Sequence, residues 1–318
     1  MGDKLRQQVK NRKNIASKGV LKNRFSSFLK TKYLGRKYSS KKAMNLVLTG
    51  STSGIGWETL LALLPQFDRV FLPVRNQSKA EKLIQSLQGK EKIVLIPMDL
   101  SLMAEVKKGT ASLLSQCDEI HVLINNAGGM YPGGKRSEEG IDLSFATNHL
   151  GHFLLVQELL PTLLKGKARI IQVSSEAHRI ASHPGKDFSL RKPSNTVAAY
   201  AKVKLYNILL TNELKSRYES EGLTAYSLHP GAVRTAFGSE ASTWAKGVIA
   251  FTKLFFISPK AGAATSIFLA TAPEKSLKNG GYYVRQKLNY SSSLAHDEKL
   301  SQELWNFSVQ ELQKHGLG

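Results

Sequence analysis

Short apolar runs recur along this chain, and each is followed by a helix-length stretch before the next. "MNLVLT" (44–49), "RVFLPV" (69–74), "KIVLIPM" (92–98), "IHVLIN" (120–125), "RIIQVS" (169–174), "TAYSLH" (224–229) and "GYYVRQ" (281–286) read as strands. Helices are expected over about 55–65, 77–88, 101–116, 138–165 and 197–220. The strands are apolar almost throughout and do not alternate with polar residues, as expected where both faces of a sheet are covered. Strand and helix taking turns in this way predict an α/β fold, a doubly wound parallel sheet of about seven strands with helices on both faces. Ligands in such sheets bind beyond the carboxyl ends of the strands, so chemistry is expected just after each run. Pro73 removes a ladder donor and predicts a strained or shortened end to the second strand.

Composition limits the alternatives. Of 318 residues, 42% are hydrophobic, enough for a substantial core. The single cysteine, Cys117, rules out an internal disulfide framework. The longest apolar stretch, "GVIAFTKLFFI" (247–257), carries Lys253 and is too short to span a bilayer. The net charge of +21 is uneven: residues 1–44 hold fourteen Lys and Arg against Asp3 alone, leaving +8 for the remainder. Residues 1–43 therefore read as a basic N-terminal extension and 44–318 as one domain. The extension, with Val20, Leu21, Phe25, Phe28 and Leu29, suits an anionic membrane surface or a solvated tail. An organelle transit peptide stays open and nucleic acid ranks last. The expected location is cytoplasmic or peripheral at a membrane.

"TGSTSGIG" (49–56) joins the first strand to the first helix. Gly50 suits a tight turn, Gly54 close approach of backbone to a pyrophosphate, and Gly56 close helix–strand packing, with the helix N-terminus favouring an anion. The spacing is Gly-x-x-x-Gly-x-Gly rather than Gly-x-Gly-x-x-Gly, and an ordinary glycine-rich turn is the alternative.

Tyr-x-x-x-Lys occurs five times, at Tyr33, Tyr38, Tyr131, Tyr200 and Tyr283. Tyr33 and Tyr38 fall in the basic head, Tyr131 precedes a Pro-Gly-Gly loop, and Tyr283 lies on an expected strand. Only Tyr200 sits on a long helix, where its lysine, Lys204, shares its face. A tyrosine titrates near 10. A neighbouring ammonium stabilises the phenolate, so Lys204 is expected to lower the Tyr200 pKa.

Together, "TGSTSGIG", "NNAG" (125–128), "QVSS" (172–175), "YAKVK" (200–204) and "HPGAVRT" (229–235) resemble, in order, the motifs of the short-chain dehydrogenase/reductase family. The resemblance covers roughly 44–290. "NHLGHFLL" and "VSSEAHR" resemble its retinol dehydrogenase and WW-domain oxidoreductase branch. It implies a Rossmann-type fold, catalytic Asn148, Ser175, Tyr200 and Lys204, and Ser175 also as the substrate contact. Cofactor contacts implied are Gly50, Thr52, Ser53, Gly54, Ile55, Gly56, Arg75, Asp99, Leu100, Asn126, Ala127, Gly128, Tyr200, Lys204, Val233 and Thr235. An acid at the end of the second strand would bind a ribose hydroxyl; this one ends in Arg75, so NADP(H) is favoured over NAD(H), with a solvated loop cation as the alternative. Asp99 is expected against adenine, or else as a helix cap. His149 and His152 read as packing or surface residues, with no metal implied. The segment 236–260, with Trp244, Phe251, Phe255 and Phe256, is expected to cover a lipophilic carbonyl or alcohol, retinoid- or steroid-like, or to pack on the body. A homodimer stays open. The expected function is an NAD(P)(H)-dependent alcohol–carbonyl oxidoreductase; a catalytically silent cofactor-binding sensor is the alternative.

Overall fold

The computed structural model of the chain describes residues 43–190, 195–231 and 257–317. It divides into two compact units. One comprises 43–270 and 277–318; the other comprises 1–42 with 271–276, of which the described part holds the 3-10 turn Glu274–Ser276. The basic head lies outside the described residues.

The larger unit is built on one sheet of strands β1 (Asn45–Leu48), β2 (Arg69–Val74), β3 (Ile93–Pro97), β4 (Val122–Asn125), β5 (Arg169–Val173), β6 (Thr224–His229), β7 (Tyr282–Val284) and β8 (Lys287–Asn289). Their spatial order is 3-2-1-4-5-6-7-8. All neighbours are parallel except β7 and β8. The order reverses between β1 and β4, and that switch point opens the crevice where ligands bind such sheets.

The helices are α1 (Gly54–Leu63), α2 (Gln77–Ile84), α3 (Met103–Leu114), α4 (Gly151–Lys165), α5 (Thr196–Tyr218), α6 (Pro259–Thr271) and α7 (Glu298–Lys314). Alternate strand residues face opposite layers, which explains the unbroken apolar runs. Leu46, Leu48, Ile124, Ile171 and Val173 pack in the core shared with α1, α2 and α6. Val47, Leu123 and Ile170 pack in the core shared with α3, α4, α5 and α7.

Three expectations need correction. Pro73 neither shortens nor interrupts β2, and it pairs in register with Ile96. The Val74 carbonyl accepts from Met98 N at 3.0 Å, so Val74 bonds towards β3 and Pro73 faces the other way. On that side the β1 ladder has already ended at Phe71, so no bond is lost. The run at 281–286 is not one strand. Arg285 and Gln286 adopt φ of 50° and 65°, the two left-handed residues of a tight hairpin, and return the chain as antiparallel β8. No Asn-Gly pair announces that turn in the sequence. The helix expected from 138 starts at Leu143, because the buried Asp142 carboxylate accepts from Ser144 N and Phe145 N and caps it there.

Helix α7 was not anticipated, and it closes one layer. Trp305 stacks edge-on to Phe153 of α4 at 5.0 Å, and the Arg217 guanidinium of α5 lies 4.3 Å from its ring centroid. No helix of the described residues is long and apolar enough to cross a membrane. Replacing the buried Trp305 with alanine removes an aromatic shared by three helices and is expected to cost about 3–5 kcal/mol, read from denaturant unfolding midpoints.

Candidate active site

The turn after β1 is shaped by its glycines. Gly50 and Gly54 hold φ of 67° and 55°, backbone that side chains disfavour. A Cβ on Gly56 would lie 2.0 Å from the Gly50 carbonyl oxygen, so only glycine lets α1 start this close to β1. Ser53 precedes α1 but makes no side-chain cap, and no acid lies in its first turn. The orphan N–H groups and positive end of this ten-residue helix therefore face the turn without a competing carboxylate. Thr52 and Ile55 are half-buried on either side of Ser53.

Thr49 ties this turn to the end of β4. Its hydroxyl oxygen accepts from Asn126 N and Ala127 N, each at 2.9 Å. Asn126 Nδ2 returns bonds to the carbonyls of Thr49 and Gly50. The hydroxyl also meets the buried His152 Nε2 at 3.0 Å. Burial holds the His152 pKa down to about 3, so the ring is neutral and can accept from the hydroxyl. The sequence reading missed Thr49, although a hydroxyl residue at a strand end was the available signal. His149, also fully buried, meets Ser308 Oγ of α7 at 2.8 Å. Both histidines belong to the interior, and neither is a surface residue.

Asn148 sits in a π-helical turn, Ala146–Leu150, that leads into α4. Its side chain accepts from Gly129 N and donates to the carbonyls of Gly129 and Ser144, each at 3.0–3.1 Å. A Cβ on Gly128 would strike Asn148 Oδ1 at 2.4 Å. The loop after β4 is thus bolted to this π-helical turn.

The end of β5 meets α5. Ser174 points inward and donates to the Lys204 carbonyl at 2.6 Å, whereas Ser175 lies against Tyr200. The Lys204 ammonium donates to the Val173 carbonyl at 3.0 Å and lies 5.4 Å from the Tyr200 ring centroid. Asn207, one further turn along α5, donates to the same carbonyl at 3.1 Å. Burial lowers the Lys204 pKa to about 8, so the cation still prevails at neutral pH. Burial also raises the Tyr200 pKa above its ordinary value, opposed only in part by the neighbouring Ser175 side chain. Burial of the phenol thus sets the direction of the Tyr200 shift, upward where a lowering beside Lys204 and a cationic nicotinamide was expected.

Arg75 and Asp99 stand at the ends of β2 and β3, with the Arg75 Nε and Asp99 Oδ2 3.8 Å apart. Asp99 Oδ1 accepts from Ser101 N and Ser101 Oγ; it closes a local turn and is not the cap of α3, whose first residue is Met103. The Leu100 carbonyl lies where a Cβ on Gly151 would come within 2.2 Å, so α4 packs directly on this loop. Val233, Thr235 and most of 236–260 lie outside the described residues.

Residues distant in sequence thus converge at the carboxyl ends of β1, β4 and β5, with Arg75 and Asp99 at the neighbouring ends of β2 and β3. This sheet and its ordered motifs match the family model for the short chain dehydrogenase over residues 44–246, and the chain belongs to that family. Retinol dehydrogenase 11 from Homo sapiens is 33% identical over 269 residues, spanning 83% of this chain and 84% of that protein. The chain is accordingly a nicotinamide-dependent oxidoreductase of the retinol dehydrogenase-like branch. Among solved structures, an uncharacterized protein from Mycobacterium paratuberculosis aligns at TM-score 0.68 and 26% identity, over 84% of this chain and 92% of that one. NADPH-bound carbonyl reductase from chicken fatty liver aligns at TM-score 0.59 and 23% identity, over 79% and 100%, a likeness of fold.

A Gly56→Ala variant is expected to lose measurable cofactor binding, because the new methyl displaces the Gly50 carbonyl. Titration of nicotinamide fluorescence against wild type checks this, with circular dichroism reporting that the sheet persists.

Proposed function

We propose that the protein interconverts an alcohol and a carbonyl on a lipophilic substrate, using NADP(H), with Tyr200 as the proton carrier. The observation that carries this reading is the Lys204 ammonium 5.4 Å from the Tyr200 ring centroid and one helical turn away, with Ser175 beside that phenol at the carboxyl end of β5. The glycine turn and the uncapped start of α1 fit a pyrophosphate. Thr52, Ser53, Ile55, Asn126, Ala127 and Gly128 would line the rest of the cofactor, and Asp99 and Leu100 its adenine end. Val233 and Thr235 would hold the carboxamide by resemblance. When bound, the nicotinamide supplies or takes up a hydride at the substrate carbon.

Ser175 would hold the substrate oxygen beside the Tyr200 hydroxyl. In reduction Tyr200 donates its proton to that oxygen. Its raised pKa keeps it protonated at neutral pH, which is the form an acid needs. Lys204 then stabilises the phenolate that remains, through a desolvated path where a charge acts strongly. Asn148 would order the loop above. In oxidation the proton moves the opposite way.

NADP(H) is the preferred nucleotide because the side chain of Arg75 is 77% exposed at the end of β2 and its nearest carboxylate oxygen is 3.8 Å away. A planar guanidinium in that position can bind a phosphate in two-point fashion. Asp68, the nearest acid in sequence, stands at the start of β2 and accepts from Met44 N. The substrate class rests on likeness to a relative named for retinol and on the apolar composition of 236–260. Residues 1–43 would bring the enzyme to an anionic membrane surface.

Tyr200→Phe is expected to lower kcat by about 10²-fold or more while leaving cofactor affinity intact, measured by NADPH absorbance over a panel of apolar aldehydes and ketones. Unchanged turnover would reject the acid–base assignment. Arg75→Ala should raise the KM for NADPH about tenfold and leave that for NADH unchanged, which steady-state kinetics with both nucleotides reads directly.

A further inference from the structure

We propose that His178 is a positioning residue: a neutral ring, fixed in one tautomer by the Ser292 backbone N–H, that holds Ser175 in register with Tyr200. The proposal rests on the acid–base reading above and goes beyond it, because the buried His178 ring would act through Ser175.

Ser175 leaves β5 in extended backbone and opens a 3-10 turn, Glu176–Ile180. Its hydroxyl oxygen accepts from Ala177 N at 3.2 Å, which fixes where the remaining hydroxyl proton and lone pair point. Its carbonyl receives two donors from one residue: His178 N at 3.1 Å and His178 Nδ1 at 2.6 Å. The other ring nitrogen, Nε2, accepts from Ser292 N at 3.0 Å, across 114 residues of sequence. A backbone N–H can only donate, so Nε2 carries no proton and Nδ1 must carry it. Ser292 thereby selects the tautomer that can donate to Ser175. The ring is fully buried, and burial lowers its pKa, so it stays neutral and can do both.

The same turn is fastened at three further points. Glu176 N donates to His229 Nδ1 at the end of β6, and the Glu176 carboxylate accepts from Tyr282 Oη of β7 at 2.8 Å. Arg179 pairs with Glu176 and donates to the Tyr290 carbonyl. Around His178 the charged and titratable groups are therefore Glu176, Arg179 and His229, with the Tyr282 ring edge-on at 5.0 Å. Side chains of one short turn thus reach β7 and the chain after β8, elements remote from the cofactor crevice.

The test uses variants that separate the two bonds. An asparagine amide can reproduce the Nδ1 donor; a glutamine reaches the Nε2 position and loses the donor to Ser175. Ser292 has φ of −67°, which proline adopts, so Ser292→Pro deletes the N–H without forcing the backbone. We expect His178→Gln and Ser292→Pro to lower kcat about tenfold or more, His178→Asn to stay within about threefold of wild type, and Ser292→Ala to be silent. Cofactor affinity and melting temperature should stay near wild type in all four. Should His178→Gln fail to fold, Ser292→Pro carries the comparison. The proposal is overturned if His178→Gln and Ser292→Pro turn over at the wild-type rate. It is equally overturned if asparagine and glutamine lose activity alike and in step with melting temperature. Tyr200→Phe inactive with His178→Gln fully active sinks the clamp alone; Tyr200→Phe at full activity sinks both readings.

Discussion

The buried ammonium of Lys204 is the constraint around which this site is arranged. Removing a charge from water is costly, and here the cost shows as a pKa lowered to about 8. Among the described residues no carboxylate pairs with it; the Val173 carbonyl accepts one of its three protons. That bond sets the height of α5 on the sheet. Once it is made, Ser174 meets the Lys204 carbonyl, Asn207 reaches Val173, and Tyr200 falls beside Ser175. An uncompensated cation is destabilising for a core and useful for a proton-transfer site, because it favours the anion that a phenol leaves behind.

The cofactor side obeys a different constraint, which is close approach. Gly50, Gly56 and Gly128 each occupy a position where a methyl would strike backbone or an amide. The resulting contacts are joined through the Thr49 hydroxyl, which serves two backbone donors and a neutral histidine at once. Losing a shared acceptor of this kind leaves several buried groups unpaired, and each unpaired group is costly. The turn after β1 and the loop after β4 are therefore held to each other by side-chain bonds and close glycine contacts.

Much of this was legible beforehand. The strands at 69–74 and 224–229 begin and end where their apolar runs do, because burial on both faces demands such runs. Tyr200 was separable from four other Tyr-x-x-x-Lys matches because only it lies on a long helix, and the structure puts it on α5. The failures were local in origin and tertiary in cause. Pro73 read as a breaker because the sequence does not say which neighbour each residue bonds. The hairpin at Arg285 and Gln286 uses left-handed backbone at residues that rarely adopt it. The direction of the Tyr200 shift was misjudged because a charge four residues away is visible in sequence and the depth of burial is not.

What the sequence determined by itself was periodic and local: the alternation of elements, the glycine turn, the tyrosine–lysine spacing and the order of motifs. These follow from side-chain size, polarity and spacing along one chain. Only the tertiary structure decided which partners those groups meet: Thr49 with Asn126 and His152, Lys204 with Val173, and His178 with both Ser175 and Ser292. Hydrogen bonds across a hundred residues depend on how the sheet orders its strands, and no short stretch of sequence encodes that order.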